Sequence, residues 1–100
     1  MAISGKQIRQ LRSLANTLKA SVIVGKSGVT KNVLTQIDDA LEAHELIKIS
    51  VLCDSGADAG AVGREIADAA HAELVQVIGK RVVLYRESSR EDIEKIELVY

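Results

Sequence analysis

From Ser4 onward the apolar positions first recur at helical spacing. Ile8, Leu11, Leu14, Ala15 and Leu18 fall within one arc of about 120° when plotted at 100° per residue, with Lys6, Arg9 and Arg12 on the opposite side. This predicts a helix over about 4–18, opened by Ser4 as N-cap with Gln7 three residues on in a capping-box arrangement. The run Val22-Ile23-Val24 is β-branched throughout and reads as a buried strand over 21–24, ended by a tight turn between Gly25 and Gly28. Helical spacing returns at Val33, Leu34, Ile37, Ala40 and Leu41, which predicts a helix over about 30–44 with Asp38, Asp39, Glu42 and Glu45 on its outer side. In 46–52 the period changes to two. Ile47, Ile49 and Val51 alternate with Lys48 and Ser50, so this strand buries one face and leaves the other at least partly wet.

An Ala-rich helix follows over about 59–72, capped by Asp58, with Val62, Ile66, Ala69 and Ala70 as a small-residue packing face. Gly60 and Gly63 repeat the GxxG spacing, but no strand precedes them and Asp58 and Glu65 flank them. They read as weak points in a helix, each about 1 kcal/mol less favourable than Ala, and not as a site. Strands over 73–78 and 81–86 flank Gly79-Lys80, a two-residue hairpin turn with glycine leading. With 78 opposite 81, Val75 and Val77 face Val82 and Leu84, while Leu74, Gln76, Ile78, Arg81, Val83 and Tyr85 share the other side. The order α-β-α-β-α-β-β implies an α/β fold of α+β-like, two-layer type. Two right-handed crossovers and a hairpin make a mixed four-stranded sheet with helices against it. One domain is expected over 1–86, and 87–100 is expected to be an acidic, mobile tail.

Charge changes the picture more than composition does. The net charge of the 100 residues is −1, yet residues 1–37 hold Lys6, Arg9, Arg12, Lys19, Lys26 and Lys31 and no acid. Residues 38–73 hold nine acids against Lys48 and Arg64, and residues 74–86 add Lys80, Arg81 and Arg86. The molecule should be bipolar, and a site on its basic side feels local charge and not the total. The basic face of the first helix could be merely solvated, but solvated helices usually interleave both signs, and this one carries no acid.

Several function classes drop out. No apolar run approaches the roughly 20 residues of a membrane helix, and no signal-peptide pattern opens the chain, so a cytoplasmic protein with no membrane partner is expected. Cys53, His44 and His71 cannot make an internal disulfide or a Cys/His metal cluster, and no Ser/His/Asp set or carboxylate pair can be named. No metal, cofactor or catalysis is expected. Gly25-Lys26-Ser27 matches the end of a nucleotide phosphate loop, but Ala20 stands where that pattern needs its first glycine, so no nucleotide cofactor is expected either.

The candidate site is the turn itself. Gly25 and Gly28 allow close approach of a sugar–phosphate backbone, the next helix points its unpartnered N–H groups at the loop, and Lys26 and Lys31 supply charge. Taken alone, a four-residue GxxG is equally an ordinary strand-to-helix turn with a solvated lysine. The surrounding residues add to it. Leu14-Ala15 with Leu18-Lys19, Gly25-Lys26-Ser27-Gly28, Ala40-Leu41-Glu42-Ala43-His44-Glu45-Leu46-Ile47-Lys48, and Val75 to Arg86 together resemble the chloroplast RNA splicing and ribosome maturation (CRM) domain.

The resemblance covers about residues 3–86 and is nearest the stand-alone bacterial YhbY-like proteins, which are associated with large-subunit precursors. It implies a fold similar to the C-terminal domain of bacterial initiation factor three, and it implicates the loop, here Gly25, Lys26, Ser27 and Gly28, in RNA contact. The expected function is therefore RNA binding without catalysis. Phosphates sit on that loop and Lys31, the track is extended by Lys6, Arg9, Arg12 and Lys19, and Lys48, Arg81 and Arg86 are further candidates. The expected partner is ribosomal RNA of an assembling large subunit, with ribosomal proteins as further partners. The alternative is a protein-interaction module that joins the assembling ribosome through its acidic surface.

Overall fold

Ser4 opens the first helix as its side chain allows. The computed structural model describes residues 3–25, 28–52, 59–93 and 95–98. In it α1 (Gly5–Ala15) carries both halves of the capping box: the Gln7 amide donates to Ser4 Oγ, and the Ser4 amide donates to Gln7 Oε1 at 2.9 Å. The helix ends three residues short of expectation. The Asn16 and Leu18 amides and the Thr17 hydroxyl all bond carbonyls three residues back, which tightens the last turn and stops it. Leu11 and Ala15 are buried, whereas Leu14, expected in the buried arc, is 43% exposed.

The remaining elements are β1 (Ala20–Val24), α2 (Lys31–His44), β2 (Leu46–Val51), α3 (Ala59–Ala70), β3 (Glu73–Ile78) and β4 (Arg81–Tyr85). Cys53 and Asp58, the expected cap of α3, lie outside the described residues. The strands form one mixed sheet in the order β1-β2-β4-β3, with β1 parallel to β2 and β4 antiparallel to both its neighbours. Helices α2 and α3 cover one face, where Ile37, Leu41 and Ile66 meet Ile49, Val82 and Leu84. Helix α1 lies on the other face, where Leu11 and Ala15 meet Leu46, Val75, Val83 and Tyr85. The expected two-layer arrangement thus gains a partial third layer. β1 is an edge strand, so only Val22 and Val24 point into the core; Ile23, read as buried, is 58% exposed.

The hairpin keeps its expected register only near its turn. Ile78 pairs with Arg81, Val77 with Val82 and Gln76 with Val83, and Gly79 takes the left-handed conformation (φ 56°) that a glycine-led turn uses. A register shift between Leu74 and Gln76 then makes Val75 an extra residue and pairs Leu74 with Leu84. This reverses the expected faces. Leu74 joins the α3 side and Val75 the α1 side, so two consecutive apolar residues fill two different cores.

Gly63 has a packing role that its helix propensity hides. A Cβ there would stand 2.8 Å from Val82 Cγ1 and 3.3 Å from Leu74 Cδ1, and Val82 is fully buried, so α3 rests directly on the sheet at this glycine. Gly63→Ala is therefore expected to lose about 1–2 kcal/mol of stability in urea denaturation, although the same change in an exposed helix would gain about 1 kcal/mol.

After β4 the described residues stay on the domain. Glu45, expected on the outer side of α2, is fully buried as the residue that ends that helix, in the left-handed conformation (φ 65°). Its amide donates to Leu41 O at 2.8 Å and its carbonyl accepts the Arg86 amide at 2.9 Å. Its carboxylate accepts the amides of Ser88 and Ile96, each at 2.7 Å. Ile96 and Leu98 pack beside α1, and Gln10 Nε2 donates to the Glu97 carbonyl at 2.7 Å. Glu42 accepts the Ser89 hydroxyl and, at 3.0 Å, the Ser89 amide, and these donors hold its carboxyl below the usual range. Through these contacts the described residues of 87–93 and 95–98 run back over the domain.

Candidate nucleic-acid interface

The β1–α2 connection opens onto a helix start. The Gly28 amide donates to the Gly25 carbonyl at 3.0 Å, and Gly28 itself has φ 71°, a conformation that side-chain-bearing residues avoid. Nothing would lie within 4 Å of a Cβ on Gly25, so its backbone faces open space. Lys26 and Ser27 lie outside the described residues. Thr30 caps α2, accepting the Val33 amide on Oγ1 at 3.2 Å, while the amides of Lys31 and Asn32 have no partner among the described residues. No acid occupies the first turn, and Lys31 is exposed at the first helical position. These are the elements of an anion site at a helix N-terminus.

The sheet decides which distant cations can join it. On β2 the buried Ile47, Ile49 and Val51 turn toward α2 and α3, which places Lys48 and Ser50 on the α1 face. Arg81 pairs with Ser50 and precedes Val82 of the α2/α3 core, so it shares that face and is exposed there. Lys48 and Lys19 line a hollow of about 430 Å³ between the end of α1 and strands β1 and β2, floored by Leu14, Leu18 and Leu46. Lys6 and Arg9 are exposed on α1, and Arg12 is anchored by its Nε donating to the Val75 carbonyl at 3.2 Å.

Arg86 is not part of this set. Its Nη1 donates to Asp38 Oδ1 and to the Ala70 carbonyl, both at 2.8 Å, and its Nη2 lies 3.6 Å from Glu42. The guanidinium ties the end of α3 to α2, and with the side chain only 19% exposed it has little surface left for a phosphate, contrary to the expectation from sequence. The same contacts draw Asp38 and Glu42 into internal pairs, which reduces the free acidity of the surface on which the protein-interaction alternative relies. Tyr85, one of two aromatic residues in the chain, is 2% exposed beneath α1 and cannot stack on a base. Burial, together with the Glu45 and Glu87 carboxylates, pushes its hydroxyl pKa up. Among the described residues no group of three His, Cys, Asp or Glu side chains could hold a metal ion, and no helix is long and apolar enough to cross a membrane.

A known family matches the stretch that holds the loop, the partial α1 layer and the hairpin. The family model described as the CRS1 / YhbY (CRM) domain matches residues 3–86. The chain belongs to the CRM family. A Bacillus subtilis relative named "Probable RNA-binding protein YqeI" is 45% identical over 96% of this chain and 98% of its own length. A Haemophilus influenzae relative named RNA-binding protein is 39% identical over 92% of this chain and 93% of its own. Among solved structures, the hypothetical protein SAV1595 from Staphylococcus aureus, described as a candidate RNA-binding protein, superposes with a TM-score of 0.77. It is 43% identical, over 95% of this chain and all of its own. The CRM match includes the loop but does not extend to the segment held by Glu45, which packs on the domain beyond residue 86.

Proposed function

We propose that this CRM domain binds structured RNA through its sugar–phosphate backbone, without catalysis, and that its target is ribosomal RNA of an assembling large subunit in the cytoplasm. In this reading the Gly25–Gly28 loop and the start of α2 receive phosphate on backbone amides, with Lys26 and Lys31 neutralising charge. Lys19, Lys48 and Arg81 continue the track across the α1 face, and Lys6, Arg9 and Arg12 extend it along α1. The observation that carries the reading is that Lys19, Lys48 and Arg81, far apart in sequence, are gathered on one face that α1 leaves partly open. The names of the relatives support the same partner class. With Tyr85 buried, recognition rests on charge and shape and is weakly sequence-specific.

Binding to a ribosomal-RNA fragment over a salt series tests it. Lys26→Ala combined with Lys31→Ala is expected to lower the log–log salt slope by somewhat under two units, since each phosphate contact contributes about 0.7–0.9. An unchanged slope would remove the loop from the site, and salt-insensitive binding would turn attention to a protein partner.

A further inference from the structure

Among the described residues nothing covers the α1 face of the sheet at the end nearest the loop, and a single row of residues crosses all four strands there. Ile23 of β1 pairs with Ser50 of β2, Ser50 with Arg81 of β4, and Arg81 with Ile78 of β3. At about 4.8 Å per strand the row spans roughly 14 Å. Ile23 is 58% and Ile78 48% exposed, and Leu52, at the end of β2, is 51% exposed. The Leu52 amide bonds the Val24 carbonyl at 2.8 Å, one residue before Gly25, so the row lies directly beside the candidate phosphate loop. Ser50, Leu52, Ile78, Gly79, Lys80 and Arg81 line a shallow hollow of about 380 Å³, and none of these six is acidic.

Resting on the RNA reading above, we infer that this strip is a dock for unpaired bases of the bound RNA. Its chemistry matches a nucleotide and not merely an apolar partner. Ile23, Leu52 and Ile78 offer aliphatic contact to the π-faces of a base, Ser50 offers a hydroxyl to its edge, and Arg81 and Lys80 offer charge to the adjoining phosphates. An arginine also stacks on bases as an aromatic side chain does, which compensates for the buried Tyr85. The hollow is in the size range of small-molecule sites and holds one or two planar rings, whereas a helix from a protein partner needs a longer groove. A paired helix hides its base faces, so the strip favours RNA in which strands are interrupted.

The test compares a blunt RNA duplex with the same duplex interrupted by an unpaired internal loop. The wild-type protein is expected to prefer the interrupted RNA by about tenfold, the lower part of the range for a base meeting a side-chain platform. Ile23→Ser with Ile78→Ser should abolish that preference while leaving duplex affinity within about twofold. Both positions are exposed, and a thermal melt verifies that the variant folds. Independently, a thiouridine placed in the internal loop should photocrosslink, in the wild-type protein, to the peptide containing Ile78. Equal wild-type affinity for the two RNAs, a preference that survives the double substitution, or crosslinks confined to other peptides would each overturn the dock and leave RNA binding standing. Failure to bind either RNA in a salt-dependent way would overturn the RNA reading itself.

Discussion

Replacing Glu45 by alanine lowers the stability of the domain by about 3 kcal/mol and releases Ser88 and Ile96 from the domain. Both amides that its carboxylate accepts, those of Ser88 and Ile96, are held at 2.7 Å by a side chain with no solvent exposure. A hydrogen bond to a charged acceptor contributes about 1.5–3 kcal/mol, and the truncation strands donors that the folded surface has covered. Glu45→Gln keeps one acceptor oxygen and loses the charge, so about half of the effect is expected. Glu45→Gly separates two terms, since glycine relieves the left-handed backbone at φ 65°, a strain of about 1 kcal/mol, yet removes the carboxylate as fully as alanine does. Urea denaturation measures the loss, and hydrogen exchange at the Ser88 and Ile96 amides locates it. A loss under about 1 kcal/mol with both amides still protected would mean that the apolar contacts of Ile96 and Leu98 hold the segment without the carboxylate.

The largest effect on binding is expected when Lys19, Lys48 and Arg81 are changed to glutamate together. Near 0.1 M salt each phosphate contact is worth about tenfold in affinity, so the triple variant should bind RNA at least several hundredfold more weakly, with the salt slope flattened by two to three units. Arg86→Gln is the contrasting substitution. Its guanidinium is committed to Asp38, Ala70 and Glu42, so it should lower thermal stability and leave the slope unchanged. If Arg86→Gln flattened the slope and the triple variant did not, the cationic track would run over the α2/α3 side and the face assignment would be wrong.

Both predictions depend on residues whose roles differ from their sequence pattern. Glu45 sits in a run of outward acids on α2 and follows the 3.6-residue period as well as Glu42 does, but it ends the helix, and the left-handed turn there swings its side chain inward. Arg86 looks like a third cation beside Lys80 and Arg81. It lies just past β4, where the chain passes over the junction of α2 and α3, and Asp38 and the Ala70 carbonyl meet it. Neither position carries a local signal. The turn between β1 and α2 was legible because its parts are adjacent: a β-branched run, two glycines and the start of a helical period. The strip from Ile23 to Ile78 was not legible, because it exists only once β4 is inserted between β2 and β3.

The sequence by itself determined the number, order and type of the elements, the capping of α1, the glycine-led hairpin and the family resemblance. Periodicity, caps and turn residues act over three or four positions, and the chain states them directly. Only the tertiary structure decided the bulge at Val75, the contact of Gly63 with Val82, the burial of Glu45, and which of Lys48, Arg81 and Arg86 share a face. Each depends on which strand or helix lies alongside. A sheet face is shared by residues about 30 positions apart, and one inserted residue exchanges inside for outside.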